Sequence, residues 1–220
     1  MKLRALAFDI DGTLYPNYRM YLHSLGPALL HPRLAINFGI VRKKIRSVRP
    51  VKNFRHLQAE MLAERMGTSA EHAFAMAERS LYENWHVSFR GVKPFPGVRK
   101  VLEEFKAAGF PLAAMSDFPI QGKLDYLGLG GIWDAAFTSE DTHYLKPHPE
   151  PFERLIAELD IPPEEILYIG NSYAYDVLGA RAVGMRTAHL AKRPEPDSLA
   201  DFTFFRYSQL RDFVFTYSGV

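Results

Sequence analysis

From Gly91 onward the chain alternates short apolar runs with amphipathic stretches, and this alternation limits the fold more than any other feature. PFPGVRKVLEEFKAAG spaces its apolar residues as a helix does and stops at Gly109. PLAAMS (111–116) then reads as a strand, a helix near 120–127 follows, and DAAFTS reads as a short strand. HPEPFERLIAELD, EEILYIG (164–170), a helix near 174–183 ended by Gly184, and MRTAHLA repeat the pattern. FTFF (202–205) and a helix around SQLRDFVF close it. Strands joined through helices pair in parallel, so the expectation is an α/β unit with helices on both faces of a parallel sheet. LRALAF (3–8) supplies its first strand, which joins 1–14 and 92–220 into one core domain.

Residues 15–91 have a different character. Helical spacing replaces strand runs, and β-branched residues thin out. Asn53 is placed to cap a helix reading FRHLQAEMLAERM, which Gly67 stops. Thr68 and Glu71 have the spacing of a capping box for another helix running to about Trp85. Residues 19–48 look helical, with interruptions near Pro27 and Pro32. The expectation is an all-helical insert of about four helices after the first strand.

Charge divides the same way. Residues 15–92 hold 12 Lys and Arg against 5 Asp and Glu, a net of +7, and the rest of the chain is −5. Arg33, Arg42, Lys43, Lys44, Arg46, Arg49, Lys52 and Arg55 crowd into 23 residues. Such a run is read first as a solvated helix face, then as a surface that steers anionic substrates, and last as a nucleic-acid or anionic-membrane surface. Tyr15, Tyr18, Tyr21 and Phe38 nearby could stack on a ring, but at helical spacing they are more often core. Composition narrows the class further. The 220 residues are 47% hydrophobic and 24% charged, as in a soluble globular protein. No apolar run reaches the ~18 residues of a membrane span, and MKLRALAFDIDG meets charge too early for a signal peptide. With no cysteine, thiolate nucleophiles and zinc–thiolate or iron–sulfur sites are excluded. A cytoplasmic protein is the default expectation.

In open α/β sheets, ligands bind at the carboxyl ends of the strands. Polar clusters fall at such ends here: Asp9, Asp11 and Thr13 after the first strand, Ser116 and Asp117 after the second, Lys146 in YLKPHPEPF before a helix, and Asn171 and Asp176 after EEILYIG. This set and its order resemble the haloacid dehalogenase superfamily in its phosphatase branch. DIDGT at 9–13, Ser116 at a strand end, Lys146 in LKPHPEPF and GNSYAYD at 170–176 stand where that family has its four motifs. The resemblance covers essentially the whole chain, because the insert falls where the family's helical C1 cap falls. It implies a Rossmann-like core with a cap domain over 15–91.

The resemblance also implies roles. Asp9 is the nucleophile and a metal ligand. Asp11 ligates the metal through its backbone carbonyl, protonates the leaving oxygen and then activates water. Ser116 and Lys146 bind the transferred phosphoryl group, with Gly12 and Asp117 completing the phosphate loop. A carboxylate attacking a phosphate ester needs a divalent cation between the two, and hard oxygen ligands select Mg²⁺. Asp9, Asp11, Asn171 and Asp176 are the expected ligands. The family's usual Asp stands as Asn171 here, which removes one negative charge from the metal shell. Asp11 separates the branches: the family's dehalogenases lack a second Asp there and need no Mg²⁺, whereas an acid suits an alkoxide leaving group. The expected activity is Mg²⁺-dependent hydrolysis of a small phosphomonoester through an aspartyl-phosphate. The alternatives are a phosphomutase on the same residues, or a binding protein that uses the basic cap. His143 and His148 flank Lys146 and read as surface histidines, and Asp141 is a candidate to orient Lys146. The aromatic C-terminal segment reads as packing either on the core or on a second subunit.

Overall fold

The computed structural model describes residues 2–18, 31–83 and 89–218. Its strands are β1 (Ala5–Asp9), β2 (Leu112–Ser116), β3 (Ala135–Thr138), β4 (Ile166–Gly170), β5 (Arg186–Leu190) and β6 (Phe202–Phe204). Its helices, among the described residues, are α1 (Pro32–Ile45), α2 (Phe54–Met66), α3 (Ala70–Ala77), α4 (Val98–Ala107), α5 (Lys123–Tyr126), α6 (Pro149–Leu159), α7 (Leu178–Ala182) and α8 (Tyr207–Ser218). The strands form one sheet in the order β3-β2-β1-β4-β5-β6, and every pairing is parallel. All the strands expected from the sequence are present.

The pattern of side chains explains why the sheet is covered on both faces. β1, β2 and β4 are buried along their whole length, as central parallel strands are. Successive side chains alternate between faces. Leu6, Phe8 and Leu112 pack with Leu102 and Phe105 of α4 and Leu210 of α8. Ala5, Ala7, Ala113 and Met115 pack with Phe152 and Leu155 of α6 and Ala180 of α7. Alanines on that second face leave room for close helices: a Cβ on Gly179 of α7 would sit 2.6 Å from the Phe152 ring. The aromatic C-terminal segment belongs to the core, with Phe202 stacked on Phe213 at 4.3 Å and Tyr207 buried.

Between β1 and α4 in sequence, the described residues 31–83 hold helices and no strand. α1, α2 and α3 bury a cluster of their own, with Leu34, Phe38, Val41, Leu62 and Ala73 at its centre. Asn53 caps α2, its Oδ1 accepting from His56 N at 3.1 Å, and Gly67 takes the left-handed conformation at φ 68° that ends it. The capping box expected from Thr68 and Glu71 does not form. Ser69 caps α3 instead, its Oγ accepting from His72 N at 3.1 Å, because the helix begins one residue later. α3 runs on as a π-helical turn over Glu78–Tyr82. Residues 19–30 of the segment expected to be helical, with its expected interruption near Pro27 and with Tyr21, and the approach to Trp85 lie outside the described residues.

The sheet order fixes where a site can form. The chain leaves β1 for β2 and β3 on one side, then crosses to β4 on the other. The carboxyl ends of β1 and β4 therefore flank a topological switch point, where a crevice opens.

Candidate active site

Asp9 is the last residue of β1, and the chain folds tightly after it. The amides of Thr13 and Leu14 both donate to Ile10 O, at 3.3 and 3.0 Å. Gly12 sits at φ +90°, and a Cβ there would lie 2.5 Å from Asn171 Nδ2 and 2.6 Å from Asn17 Nδ2, so only glycine fits. Thr13 is a loop residue here. Its hydroxyl donates to Asp9 Oδ2 at 2.7 Å, and its carbonyl accepts from Tyr207 OH at 2.7 Å.

Lys146 meets Asp9 from the loop before α6. Its Nζ donates to Asp9 Oδ1 at 2.7 Å, to Asp176 Oδ1 at 2.6 Å and to Tyr168 OH at 3.2 Å. Asp176 is fixed from behind by Ser172 N at 2.9 Å. All these side chains are buried. Burial pushes the Asp9 carboxyl up to about 7, with Lys146 opposing and Asp176 and Asp11 adding to the rise. Burial works against the Lys146 ammonium, but Asp176 and Asp9 outweigh it and hold Lys146 well above its ordinary value.

Asp11 lies on the other side of the crevice. Ser116 Oγ and Tyr15 OH both donate to its carboxylate. Lys123 Nζ, from α5, spans both oxygens at 2.9 and 2.8 Å and reaches Ser116 Oγ at 3.1 Å. Burial alone would raise the Asp11 carboxyl, yet Lys123, Ser116 and Tyr15 together hold it below its ordinary value. Lys123 was not among the residues expected from the sequence. No local signal marks it: in α5 Lys123 and Leu124 are buried, while Asp125 and Tyr126 are exposed.

Asp117 lines the crevice, but its carboxylate serves the protein. Oδ1 accepts from Ser139 Oγ at 2.6 Å and from Lys146 N at 3.1 Å, and Oδ2 pairs with Arg46 at 2.5 Å. A carboxylate so engaged fixes the Lys146 loop and offers no donor to a phosphate, so the expected phosphate-binding role does not fit its side chain. Asp141 pairs with Arg154 at 3.3 Å and does not orient Lys146. His143 is exposed, as expected. His148 is not a free surface histidine: its Nε2 lies 2.5 Å from Arg46 O.

The basic run is neither a solvated face nor an open recruiting surface along its whole length. Arg42, buried in α1, pairs with Glu140 at 2.5 Å and donates to Asp117 O. Arg46 also donates to Lys146 O at 2.7 Å. Arg49 pairs with Glu150, and Arg55 Nε lies 2.9 Å from Glu140 Oε2. Four of the arginines thus meet acids that follow β2 and β3 or begin α6, or, with Glu78, the end of α3. Lys43, Lys44, Lys52 and Arg33 stay exposed. Tyr15, weighed above as a stacking ring, is fully buried, and its hydroxyl faces Asp11.

The crevice encloses about 270 Å³ and is lined by Asp9, Asp11, Lys146, Asn171 and Asp176 from the core, by Asn17, Phe118 and Tyr175, and by Arg46 of the adjoining loop. Its volume lies near the lower end of small-molecule sites. Its oxygens could hold a hard cation. Asp9 and Asp176 offer carboxylates, Asp11 a backbone carbonyl and Asn171 an amide oxygen. The Thr13 hydroxyl has one proton, which its bond to Asp9 takes, so Asn171 Oδ1, 3.2 Å from that oxygen, keeps lone pairs to offer. A cation there would offset the Asp176 and Asp11 charges that add to the rise burial causes at Asp9. The set is sparse in charge, and among the described residues no group of three or more His, Asp or Glu side chains is placed to hold a metal.

A buried carboxylate at the end of the first strand, a lysine on it and a second carboxylate two residues on meet at the switch point of a parallel α/β sheet. The chain belongs to the haloacid dehalogenase-like hydrolase family, whose model matches residues 3–184. It is 28% identical to the glyceraldehyde 3-phosphate phosphatase of Methanopyrus kandleri, over 96% of this chain and 97% of that one. In fold it is similar to the 2-haloacid dehalogenase of Pseudomonas syringae, at TM-score 0.72, with 22% identity over 96% of this chain and 98% of that one. It is similar also to the HAD-hydrolase YfnB of Bacillus subtilis bound to magnesium, at TM-score 0.69 and 17% identity over the whole of both chains. These two likenesses concern the fold alone. No helix among the described residues is long and apolar enough to cross a membrane.

Proposed function

We propose that this enzyme is a Mg²⁺-dependent phosphatase that hydrolyses a small phosphomonoester through an aspartyl-phosphate on Asp9. One observation carries the reading. Asp9 and Asp11 face the same small crevice, each already paired with a buried lysine, Lys146 and Lys123. A dehalogenase has no use for the second acid, and the similarity to a phosphatase over the full chain agrees.

The residues divide the work. Lys146 neutralises Asp9 and the incoming phosphoryl oxygens. The Asp9 carboxylate attacks phosphorus while Asp11, which takes up a proton as the negative phosphate enters beside it, gives that proton to the departing alkoxide oxygen. Asp11 then takes a proton from the water that attacks the acyl-phosphate, which frees phosphate and restores Asp9. Ser116 turns its hydroxyl from Asp11 to a phosphoryl oxygen. Mg²⁺, held by Asp9, the Asp11 carbonyl, Asn171 and Asp176, would screen the repulsion between carboxylate and phosphate. Residues 15–91 act as the cap that closes over the strand ends, excludes water and shapes the pocket for the leaving group.

The test is phosphate release from an aryl phosphate and a panel of small phosphate metabolites, with Mg²⁺ and with chelator. Release that requires Mg²⁺ and disappears in Asp9→Asn, with the circular dichroism unchanged, is the expected result. Full activity in Asp9→Asn would overturn the mechanism. Transfer of phosphate within the substrate without release would point instead to a phosphomutase.

A further inference from the structure

Lys123 is fully buried, and a charge so placed demands a partner. Its partner is Asp11, whose two carboxylate oxygens lie 2.8 and 2.9 Å from Nζ. The ring of Phe89 lies 5.1 Å from the same nitrogen, so the ammonium is held between a π face and a carboxylate. Packing does not explain it, since a methionine would fill this space without the cost of burying a charge. Tyr15 OH donates to the same carboxylate from the nucleophile loop, and it too is fully buried. Ser116 Oγ, 3.1 Å from Nζ, links the group to the end of β2.

We infer that Lys123, with Tyr15, is the positioning device for Asp11: it fixes the direction in which that carboxyl meets the leaving oxygen, without touching phosphate. Lys123 sits on α5, seven residues beyond Ser116, and reaches back to Asp11 and Ser116. Free rotation would let an unbraced Asp11 turn toward solvent or toward Lys146. Braced from both oxygens, it can shift only along the line set by Lys123 and Tyr15. The inference rests on the phosphatase reading and on Asp11 as the acid of the first step.

Positioning an acid matters in proportion to how much the leaving group needs a proton. A 4-nitrophenolate leaves unaided, and a benzyl alkoxide does not. The quantity to measure is kcat/KM for 4-nitrophenyl phosphate divided by that for benzyl phosphate, which reports the transfer to Asp9 and is independent of the fraction of active protein. Asp11→Asn should raise this ratio by ~10²–10⁴, the usual worth of a general acid. Lys123→Met should raise it by ~10–100-fold, since misplacing a reacting group by about 1 Å costs ~10². Tyr15→Phe, which removes one oxygen and keeps the packing, should raise it less. The chain has no cysteine, so Lys123→Cys can be alkylated with 2-bromoethylamine in denaturant and refolded. The resulting aminoethyl side chain should bring the ratio back toward wild type, which a merely structural role would not predict.

If Asp11→Asn raises the ratio and folded Lys123→Met lowers both activities equally, the positioning role is wrong. If Lys123→Met does not fold, Tyr15→Phe decides, and an unchanged ratio there overturns the inference. An unchanged ratio in Asp11→Asn is a different failure: it removes the acid role in the phosphatase reading itself.

Discussion

Arg42 and Glu140 offer the sharpest energetic test of how the insert is fastened to the core. Both side chains are 4% exposed, and Arg42 Nη1 lies 2.5 Å from Glu140 Oε1. Arg42 also donates to Gln58 Oε1 and Tyr82 OH, each at 3.3 Å, and the ring of Phe118 lies 4.3 Å from its guanidinium carbon. Burial pushes the Tyr82 hydroxyl up to about 12, so Tyr82 stays a neutral donor in this cluster. Replacing Arg42 with Met leaves the Glu140 carboxylate buried with only Tyr82 OH, at 3.2 Å, and Arg55 to meet it. Oε2 already accepts no hydrogen bond, since Arg55 Nε approaches it out of line.

Breaking one side of a buried pair typically costs ~3–5 kcal/mol. Arg55 offsets part of that, which puts Arg42→Met near 3 kcal/mol on the same scale. For a chain of this length, ~1 kcal/mol moves Tm by ~2–4 °C, so the expected loss is roughly 6–12 °C. Pairing Arg42→Met with Glu140→Leu removes both charges, and the double variant should regain most of the loss. Thermal melts of the singles and the double, read as a cycle, measure the coupling. Added salt should change it little, because the pair lies out of reach of screening ions. If each single costs under ~1 kcal/mol, the range of exposed ion pairs, then the reasoning about this contact is wrong.

The other predictions concern the site. In chelator, Asp9 has a folded value of about 7, above that of an unfolded carboxylate, so the folded chain holds an extra proton in between. Stability present at low pH should therefore be lost as pH rises toward 7, and melts of Asp9→Asn across that window should show a flatter slope. Asn171→Asp returns a charge to the metal shell and should lower the Mg²⁺ concentration for half-activity; an unchanged value would refute a weakened site. Gly12→Ala puts a methyl 2.5 Å from Asn171 at a backbone angle that favours glycine, and activity assays should show near-complete loss. Gly170→Ala drives a Cβ into the Asp176 side chain, and titration should show weaker Mg²⁺ binding.

The sheet was legible because its strands are short buried runs whose polar residues gather at one end. LRALAF, PLAAMS and EEILYIG each appear within a residue or two of their expected limits. Asp9, Asp11 and Ser116 were legible for the same reason, since each lies at or just past such an end; Lys146, in the loop before α6, was picked out by its place in LKPHPEPF. Lys123 was not. It lies on a helix of four residues, and nothing local distinguishes a lysine that faces inward from one in solvent. Ser69 displaced the Thr68 capping box by one residue, a choice between two adjacent hydroxyls that spacing alone does not make. The arginines of the basic run were misread because their partners lie far along the chain: Asp117 is 71 residues from Arg46, and Glu140 is 98 from Arg42.

That last point gives the charge asymmetry its meaning. A segment of net +7 joined to a core of −5 looks like a surface that gathers anions. The geometry shows much of that charge neutralised within the molecule, at loops that border the crevice. Arg46 is the clearest case. It holds Asp117 Oδ2 while its Nε holds Lys146 O at 2.7 Å, and Asp117 Oδ1 holds Lys146 N at 3.1 Å. The main chain of Lys146 is thus gripped on both sides, once by the core and once by the segment following α1. The lysine paired with Asp9 is placed in part by contacts that also seat the helical segment. Any motion of that segment relative to the sheet must pull on Lys146 as well. If Arg46 lets go, Asp117 Oδ1 still holds Lys146 N from the core and Asp9 and Asp176 still hold its Nζ, so the segment adds to the placement of Lys146 without being its sole support.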